Sequence, residues 1–502
     1  MLKKNILANL FGNAFSAIVS IVCIPIYVYY LGVEAFGLIG IFASLQVIFS
    51  VLDLGLSATL NREFARLSVL EDGVTEQRNL LRTFEYIYFA IAIVIGIVIS
   101  LSAPLISRHW LSANSISPQT VQFALIQMGI LLALRWPTAL YAGGLTGLQK
   151  QVLYNVINTG GEFIKAIGAI AVLTFVNNSI NAFFYWQIII TGVIVIILHI
   201  ILWKKLPAND AKPFFSKALL LKNRAFAAGM GGTSLVVIIL TQTDKVVLSK
   251  ILDLKTFGYF TLASAIASSL YRVIVPVSQA VYPRLVQLVH SHQKAELIKL
   301  FHTACQFIAS IVLPFALCMA FFSKEIILLW THNEVITEAV YPLLRILIIG
   351  TACNALVTIP YMLQLAYGWT KLGFYQNLIA IIILIPSIIY FTNLYGAYGA
   401  VWCWTALNAC YVLFSMPVMF RRYLRTEQWK WYWNDIIKPL IYTMLILITG
   451  RLLLNYMHID NKILLATFIT FFGILSFLVI LYLTPNIRNT AALLIKKTGK
   501  VF

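Results

Sequence analysis

The feature that most constrains this chain is the recurrence of apolar segments from one end to the other, each about 20 residues long. Coiled as an α-helix, a segment of that length matches the hydrocarbon thickness of a bilayer. Hydrocarbon offers no partner for a backbone N–H or C=O, so the segment must satisfy its own. Composition agrees where it bears on this, because only 11% of the 502 residues are charged, against about 25% in ordinary soluble domains. The reading is an all-α polytopic membrane protein with no large water-soluble domain between its spans.

Hydropathy predicts about 14 spans, over 6–30, 37–57, 84–107, 119–142, 153–176, 181–203, 225–250, 257–282, 300–322, 339–365, 371–392, 395–420, 438–457 and 462–484. Four regions follow: an N-terminal six-helix bundle at 1–203, a cytoplasmic amphipathic linker at 204–224, a C-terminal six-helix bundle at 225–420, and 421–502. The last region holds a cytoplasmic loop, an extra helix pair and a basic tail. The opening Met1-Leu2-Lys3-Lys4 resembles a signal peptide, but the apolar stretch after it reaches Tyr30. That is too long for a cleavable core, and it is read as the first membrane helix.

The net charge of +19 would suggest nucleic acid on a soluble protein. Here the basic residues crowd alternate loops, which excludes that partner and sets an orientation. With the N-terminus in the cytoplasm, about 26 Lys and Arg fall inside, about 5 outside and about 6 within spans. An even helix number then places both termini in the cytoplasm of a bacterial inner-membrane protein. Cys23, Cys305, Cys318, Cys353, Cys403 and Cys410 lie in apolar stretches without metal-like spacing and read as buried small hydrophobes. Trp110, Trp136, Trp203, Trp330 and the Trp429-Lys430-Trp431-Tyr432-Trp433 cluster sit near span ends, as an aromatic belt would.

Two short strings recur. Leu31-Gly32-Val33-Glu34-Ala35-Phe36-Gly37 precedes the second span, and Leu252-Asp253-Leu254-Lys255-Thr256-Phe257-Gly258 the eighth. Gly147-Leu148-Gln149-Lys150 follows the fourth span and Gly368-Trp369-Thr370-Lys371 the tenth, at the same offset. The offset equals six spans, an even number, so the halves insert alike and form a parallel repeat about an axis along the membrane normal, with the substrate path between them.

Polar residues at helical spacing mark spans with a wet face. They are Asn9, Asn13, Ser16 and Ser20; Gln46, Ser50, Asp53 and Ser57; Asn155, Asn158, Glu162 and Lys165; and Ser264, Ser268, Arg272 and Gln279. Ionisable residues at depth are expensive and weigh more. Arg272 and Lys165 lie near span centres, with Arg135, Lys245 and Arg345 shallower. Glu162 and Lys165, three apart, are placed to neutralise each other, whereas the adjacent Asp244 and Lys245 are expected to point apart. The basic excess implies an anionic ligand, received by Arg272, Lys245, Arg135, Lys165 and Arg345 with Ser268, Gln279, Gln46 and Asn13 as polar lining. Asp53, Glu162 and Asp244 are the candidates for H+ or Na+ coupling. Pro25, Pro276, Pro360 and Pro386 fall inside spans as kink or hinge positions.

No phosphate-binding loop or His-Glu-x-x-His zinc motif occurs, so the sequence carries no recognisable ATPase, metal or cofactor site. His290 and His292 fall in a cytoplasmic loop. The short external loops argue against a membrane-embedded polymerase. Asn9-Leu10-Phe11-Gly12-Asn13, Tyr30-Leu31-Gly32 followed by Phe36-Gly37, and Leu52-Asp53-Leu54-Gly55-Leu56 before Arg62 resemble the Wzx-type polysaccharide flippases. These belong to the multidrug/oligosaccharidyl-lipid/polysaccharide exporter superfamily. The resemblance is clearest in roughly the first 70 residues, and the final helix pair exceeds the superfamily's common core.

What the resemblance implies is a non-enzymatic flippase. It would move undecaprenyl-pyrophosphate-linked oligosaccharide, such as O-antigen repeat units, to the periplasmic leaflet, with a polysaccharide polymerase and chain-length machinery as protein partners. The alternatives are a membrane polymerase, a drug or cation exporter of the same superfamily, and a non-transporting scaffold. Arg272→Ala is expected to abolish surface polysaccharide without lowering protein abundance; normal polysaccharide in that variant would remove Arg272 from the site.

Overall fold

The computed structural model describes residues 2–68, 70, 73–207, 212–457 and 459–484, with side chains throughout these except at 2–14, 17 and 223–237. Among the described residues the chain is helical, with a single isolated bridge from Ser112 to Asp253 and no strand. Twelve segments among the described residues are long and apolar enough to cross a membrane. Two features reconcile this with the expected number. The first two expected spans run as one element, Leu2–Phe49, broken at Gly32 with φ 80° and ψ 163°, a conformation open essentially to glycine alone. The expected span 225–250 lies within the helix Lys217–Ile251, many of whose side chains are outside the described set.

The chain forms two compact units, Met1–Gly258 and Tyr259–Phe502. The first contains α1 (Leu2–Phe49), α2 (Leu56–Leu67), α3 (Gly73–Leu105), α4 (Pro118–Arg135), α5 (Thr138–Gly147), α6 (Gln151–Phe175), α7 (Ile180–Lys205) and α8 (Lys217–Ile251). Helix α9 (Leu254–Ser268) starts in it. The second contains α10 (Tyr271–His290), α11 (Lys294–Phe321), α12 (Ser323–Thr331), α13 (Glu334–Leu356), α14 (Thr358–Ala366), α15 (Thr370–Tyr395), α16 (Ala397–Cys410), α17 (Met416–Tyr423), α18 (Gln428–Lys430), α19 (Lys438–Met457) and α20 (Lys462–Leu483).

Helix starts follow local chemistry. Ser117, Ser179, Ser216, Asn333 and Asn461 each accept a backbone N–H of the first turn of α4, α7, α8, α13 and α20, satisfying donors that have no intrahelical partner. The expected span 119–142 breaks at Trp136-Pro137, where proline cannot donate to the preceding turn. The core of the first unit is a set of one-face stripes: Leu56, Leu60 and Phe64; Leu80, Phe84 and Tyr88; Leu140, Tyr141 and Leu145; Ile194, Leu198 and Leu202. The recurring step of four is that of a buried helix face. The linker after α7 is strapped to α3, with Phe214 N–H donating to Asn79, Ser216 N–H to Thr83 and Lys222 to Glu76, leaving Phe214 and Phe215 exposed.

In the second unit α11 packs against α10, α13, α19 and α20. Phe322, Leu447, Leu454, Ile469 and Phe472 form the apolar seam that holds the last helix pair. A π-helical turn, residues 431–437, leads into α19. It corrects the aromatic-belt reading, for Trp431 is wholly buried against Phe420, while Trp429 and Trp433 stay exposed. Trp203, near the end of α7, donates its indole N–H to Glu85. The six cysteines are free thiols, but only Cys23 and Cys305 are buried; Cys318, Cys353 and Cys403 are partly exposed and Cys410 is exposed, which corrects the buried reading for these four.

The repeat is visible as a handshake. A Cβ at Gly37 would strike the carbonyl oxygen of Leu254, and one at Gly258 would strike that of Val33. Val33 and Leu254 stand at one repeat position and Gly37 and Gly258 at another, so the contact is reciprocal, as a local two-fold requires. Glu34 adds a clasp, accepting the backbone N–H groups of Asn114 at 2.5 Å and Ser115 at 2.8 Å, while Leu254 N–H donates to Ser112.

The second pair of strings matches with a shift. Lys150 N–H bonds Leu145 C=O and Gln149 N–H bonds Thr146 C=O; Trp369 and Gly368 do the same to Gln364 and Leu365. Both are helix ends of the Schellman type with a left-handed residue, Gln149 at φ 57° and Gly368 at φ 73°. Structurally Gln149, not Gly147, corresponds to Gly368, so the shared offset expected for this pair is corrected by two residues.

Because the handshake sets backbone against backbone, Gly37→Ala and Gly258→Ala are each expected to destabilise by about 1–3 kcal/mol through overpacking. Thermal unfolding of the purified protein in detergent checks this, with Gly192→Ala, where nothing lies within 4 Å, as the control that should not lower the midpoint.

Candidate functional site

Four of the expected ligand-binding and coupling residues, Gln46, Arg135, Glu162 and Lys165, line one cavity of the first unit, about 300 Å³ in volume. Helix α1 and the turn after it supply Gln46 and Ser50, the end of α4 supplies Arg135 and Trp136, and α7 supplies Thr191. Helix α6 contributes most, with Tyr154, Asn158, Glu162 and Lys165. Their steps of four, four and three keep them on a single helix face.

Glu162 is the centre of the charge arrangement. Its Oε1 accepts from Lys165 Nζ at 2.9 Å and lies 3.7 Å from Arg135 Nη2. Lys165 is only 7% exposed, against 34% for Glu162 and 44% for Arg135. An ammonium that far from water requires a close anion. Thus the expected Glu162–Lys165 neutralisation is present, and Arg135 adds a second cation to the same carboxylate, leaving the group one positive charge in excess. Two more polar atoms in the wall, Trp136 Nε1 and Thr191 Oγ1, are buried without a hydrogen-bond partner among the described residues. Indole N–H and guanidinium are donors only. Beside these donors the wall carries the amides of Gln46 and Asn158 and the hydroxyls of Ser50, Thr138 and Thr191, a mixed polar lining with one positive charge in excess that suits an anion or a cluster of hydroxyls.

Next to it, Asp53 accepts from Tyr88 Oη and, at 2.9 Å, from Ser57 Oγ; the Tyr88 ring centroid is 6.0 Å from that of Trp136. One turn earlier on α3, Glu85 is a buried hub. Its Oε1 meets Tyr141 Oη at 3.2 Å, His199 Nδ1 at 2.9 Å and Trp203 Nε1 at 2.9 Å, and its Oε2 meets Arg82 at 3.3 Å. Tyr88, Glu85, Tyr141, His199 and Thr191 were absent from the sequence candidates. The available signal was the presence of Glu85 and His199 in apolar spans, where ionisable groups are rare.

The other candidates lie elsewhere. Asp244 and Lys245, expected to point apart, instead pair at 3.5 Å, the long lysine stem folding back while its Nζ donates to Thr241 C=O. In the second unit the Ser268 hydroxyl turns onto Ala265 C=O. Arg272 and Gln279 are exposed, and among the described residues no carboxylate lies within ion-pair distance of Arg272. The α9–α10 break falls at Ser269-Leu270, six residues before Pro276. Arg345 donates Nε to Ala320 C=O at 3.1 Å and lies over the Tyr341 ring, capping the C-terminal end of α11. The side chain of Asn13 lies outside the described residues. On α2, burial pushes the Glu63 carboxyl up, but Arg62 and Arg66 outweigh it and hold it below the usual range.

Comparison with known proteins places this geometry in a family. A family model described as "Polysaccharide biosynthesis protein" matches residues 2–289, and one described as MatE matches 230–390. A Shigella flexneri protein named "Putative O-antigen transporter" is 20% identical over 409 residues, which are 80% of this chain and 94% of that protein. The lipid II flippase MurJ in an inward closed conformation superposes with a TM-score of 0.72 at 16% identity, over 94% of this chain and 97% of its own. An inward-facing multidrug-resistance MATE transporter of the MOP superfamily gives 0.68 at 14% identity, over 82% and 94%. With the first family model covering more than half of its length, the chain belongs to the polysaccharide biosynthesis protein family and has the fold of MurJ and the MOP-superfamily transporters.

Proposed function

We propose that this protein carries a lipid-linked oligosaccharide, an undecaprenyl-pyrophosphate bearing O-antigen or another surface-polysaccharide unit, from the cytoplasmic to the periplasmic leaflet by alternating access. The observation that carries the reading is the donor-rich cavity with Arg135 and Lys165 about one carboxylate, in a chain of the polysaccharide biosynthesis family. A sugar hydroxyl moved into hydrocarbon without a partner costs several kcal/mol, about 4–8 on the cyclohexane scale. A multi-sugar headgroup therefore crosses only along a polar path, while its lipid tail stays in the bilayer.

Glu162 supplies a coupling logic. While ionised it competes with an anionic headgroup for the same two cations; a proton on Glu162 would free both. Asp53 and Asp244 are the weaker candidates, the first already accepting from Tyr88 and Ser57 and the second beside Lys245. A drug or cation exporter would need an uncommitted carboxylate, and Glu162 has two cationic partners in place.

Leaflet exchange of defined lipid-linked glycans in reconstituted vesicles tests the proposal. Arg135→Gln and Lys165→Gln should each slow exchange roughly tenfold or more, the loss of one charge-assisted hydrogen bond. Glu162→Gln should retain exchange and lose its response to an imposed pH gradient. Unchanged rates in both cation variants would exclude this cavity. Chain growth from lipid-linked units in detergent would instead establish a polymerase.

A further inference from the structure

The second unit contains a titratable cluster that the transport reading does not use. His302, on α11, faces two carboxylates at once: its Nδ1 lies 2.5 Å from Asp435 Oδ2 and its Nε2 3.2 Å from Glu427 Oε2. Asp435 belongs to the π-helical turn that leads into α19, and Glu427 to the segment just before α18. The remaining oxygens are occupied. Gln306 Nε2 donates to Asp435 Oδ1 at 2.8 Å, and Lys430 and Thr426 reach Glu427 Oε1 at 3.1 and 3.0 Å. Cys305, one turn along from His302, also lies against Asp435 and Trp431.

Proton counting decides what this arrangement requires. A neutral imidazole has one N–H donor, and an ionised carboxylate has none. With both ring nitrogens facing carboxylate oxygens, the contacts are satisfied only if one extra proton is present. Charge gives the same answer: Glu427 and Asp435 are balanced by Lys430 and His302 only when the imidazole is cationic. Burial pushes the Glu427 carboxyl up, but Lys430, Thr426 and His302 outweigh it and hold it below the usual range. The extra proton therefore belongs to the buried His302–Asp435 pair.

We propose that His302, Asp435 and Glu427 form a proton-binding latch that fastens the entry to the last helix pair onto α11. The closed latch holds one proton more than the open one, so by linkage it is complete at low pH and is released as the pH rises. Release is local. The apolar seam of Phe322, Leu447, Leu454, Ile469 and Phe472 and the 2.5 Å Arg451–Glu325 pair still hold the two helices. That pair lies beyond the far end of α11, which is about 28 Å from His302 at 1.5 Å per residue. The latch thus controls the segment 424–437 and not the attachment of α19 and α20.

Hydrogen exchange of the full-length protein, read in peptides covering 424–437 and divided by the intrinsic chemical rate, tests this between about pH 6 and about pH 9. Wild-type protection should fall tenfold or more across that range while peptides of α20 hold theirs. Asp435→Asn is the diagnostic variant. Its amide would donate to Nδ1 of a neutral His302 and keep accepting from Gln306, while Nε2–H donates to Glu427, so no extra proton is needed. Its protection should stay high and flat, where a plain lost ion pair would weaken it. His302→Ala should be unprotected at both pH values. Flat wild-type protection overturns the proposal, as does an Asp435→Asn profile that falls like wild type or a His302→Ala segment that stays protected. If Asp435→Asn does not accumulate, the wild-type and His302→Ala profiles decide.

Discussion

Hydrocarbon supplies no hydrogen-bond partners, and that one property shapes this protein at every scale. It forces the backbone into helices and obliges each polar side chain within a span to be answered by the protein itself. Many answers are local. Ser20 donates to Ser16 C=O, Ser44 to Gly40 C=O and Thr83 to Asn79 C=O, each one turn back on its own helix. Ser268 does the same to Ala265. A hydroxyl in a polar stripe is therefore weak evidence of a wet face, because the preceding turn can absorb it.

Charged side chains have no such local exit, and their surroundings separate two kinds of site. Around Glu85 the donors of Tyr141, His199, Trp203 and Arg82 converge on a single carboxylate. Tyr141 and His199 also meet each other at 3.1 Å and Arg82 lies over the Trp203 ring, a network that ties α3, α5 and α7 together. Around Glu162 the arithmetic differs, with two cations on one carboxylate and unpartnered donors at Trp136 and Thr191. An excess of one sign and of donors is what a site for an incoming group needs, whereas a closed account is what a structural staple needs.

Much of this was legible in the sequence. Apolar length gave the spans, and the stripe on α6 gave Glu162 and Lys165 as neighbours because three residues on a helix fix their proximity. Arg135 was found as an ionisable residue at depth, though its pairing with Glu162 was not, since they lie on different helices. His302 and Asp435 were missed for the same reason, being separated by 133 residues. Trp431 was misread because position near a span end says nothing about which way an indole turns. The shifted correspondence of Gln149 and Gly368 shows that a helix end is defined by its left-handed residue, and residue identity alone does not reveal which residue that is.

The reciprocal contact of Gly37 and Gly258 has an implication for how such a chain arose. A surface that docks onto its own repeat needs no second invention: one half-length chain presenting a single copy of the turn would already match another copy of itself. Joining two such copies end to end converts a dimer contact into an internal one and removes its dependence on concentration. A side chain gained at Gly37 would meet the Leu254 carbonyl and one gained at Gly258 the Val33 carbonyl, so each copy of the turn leaves the other no room for a side chain.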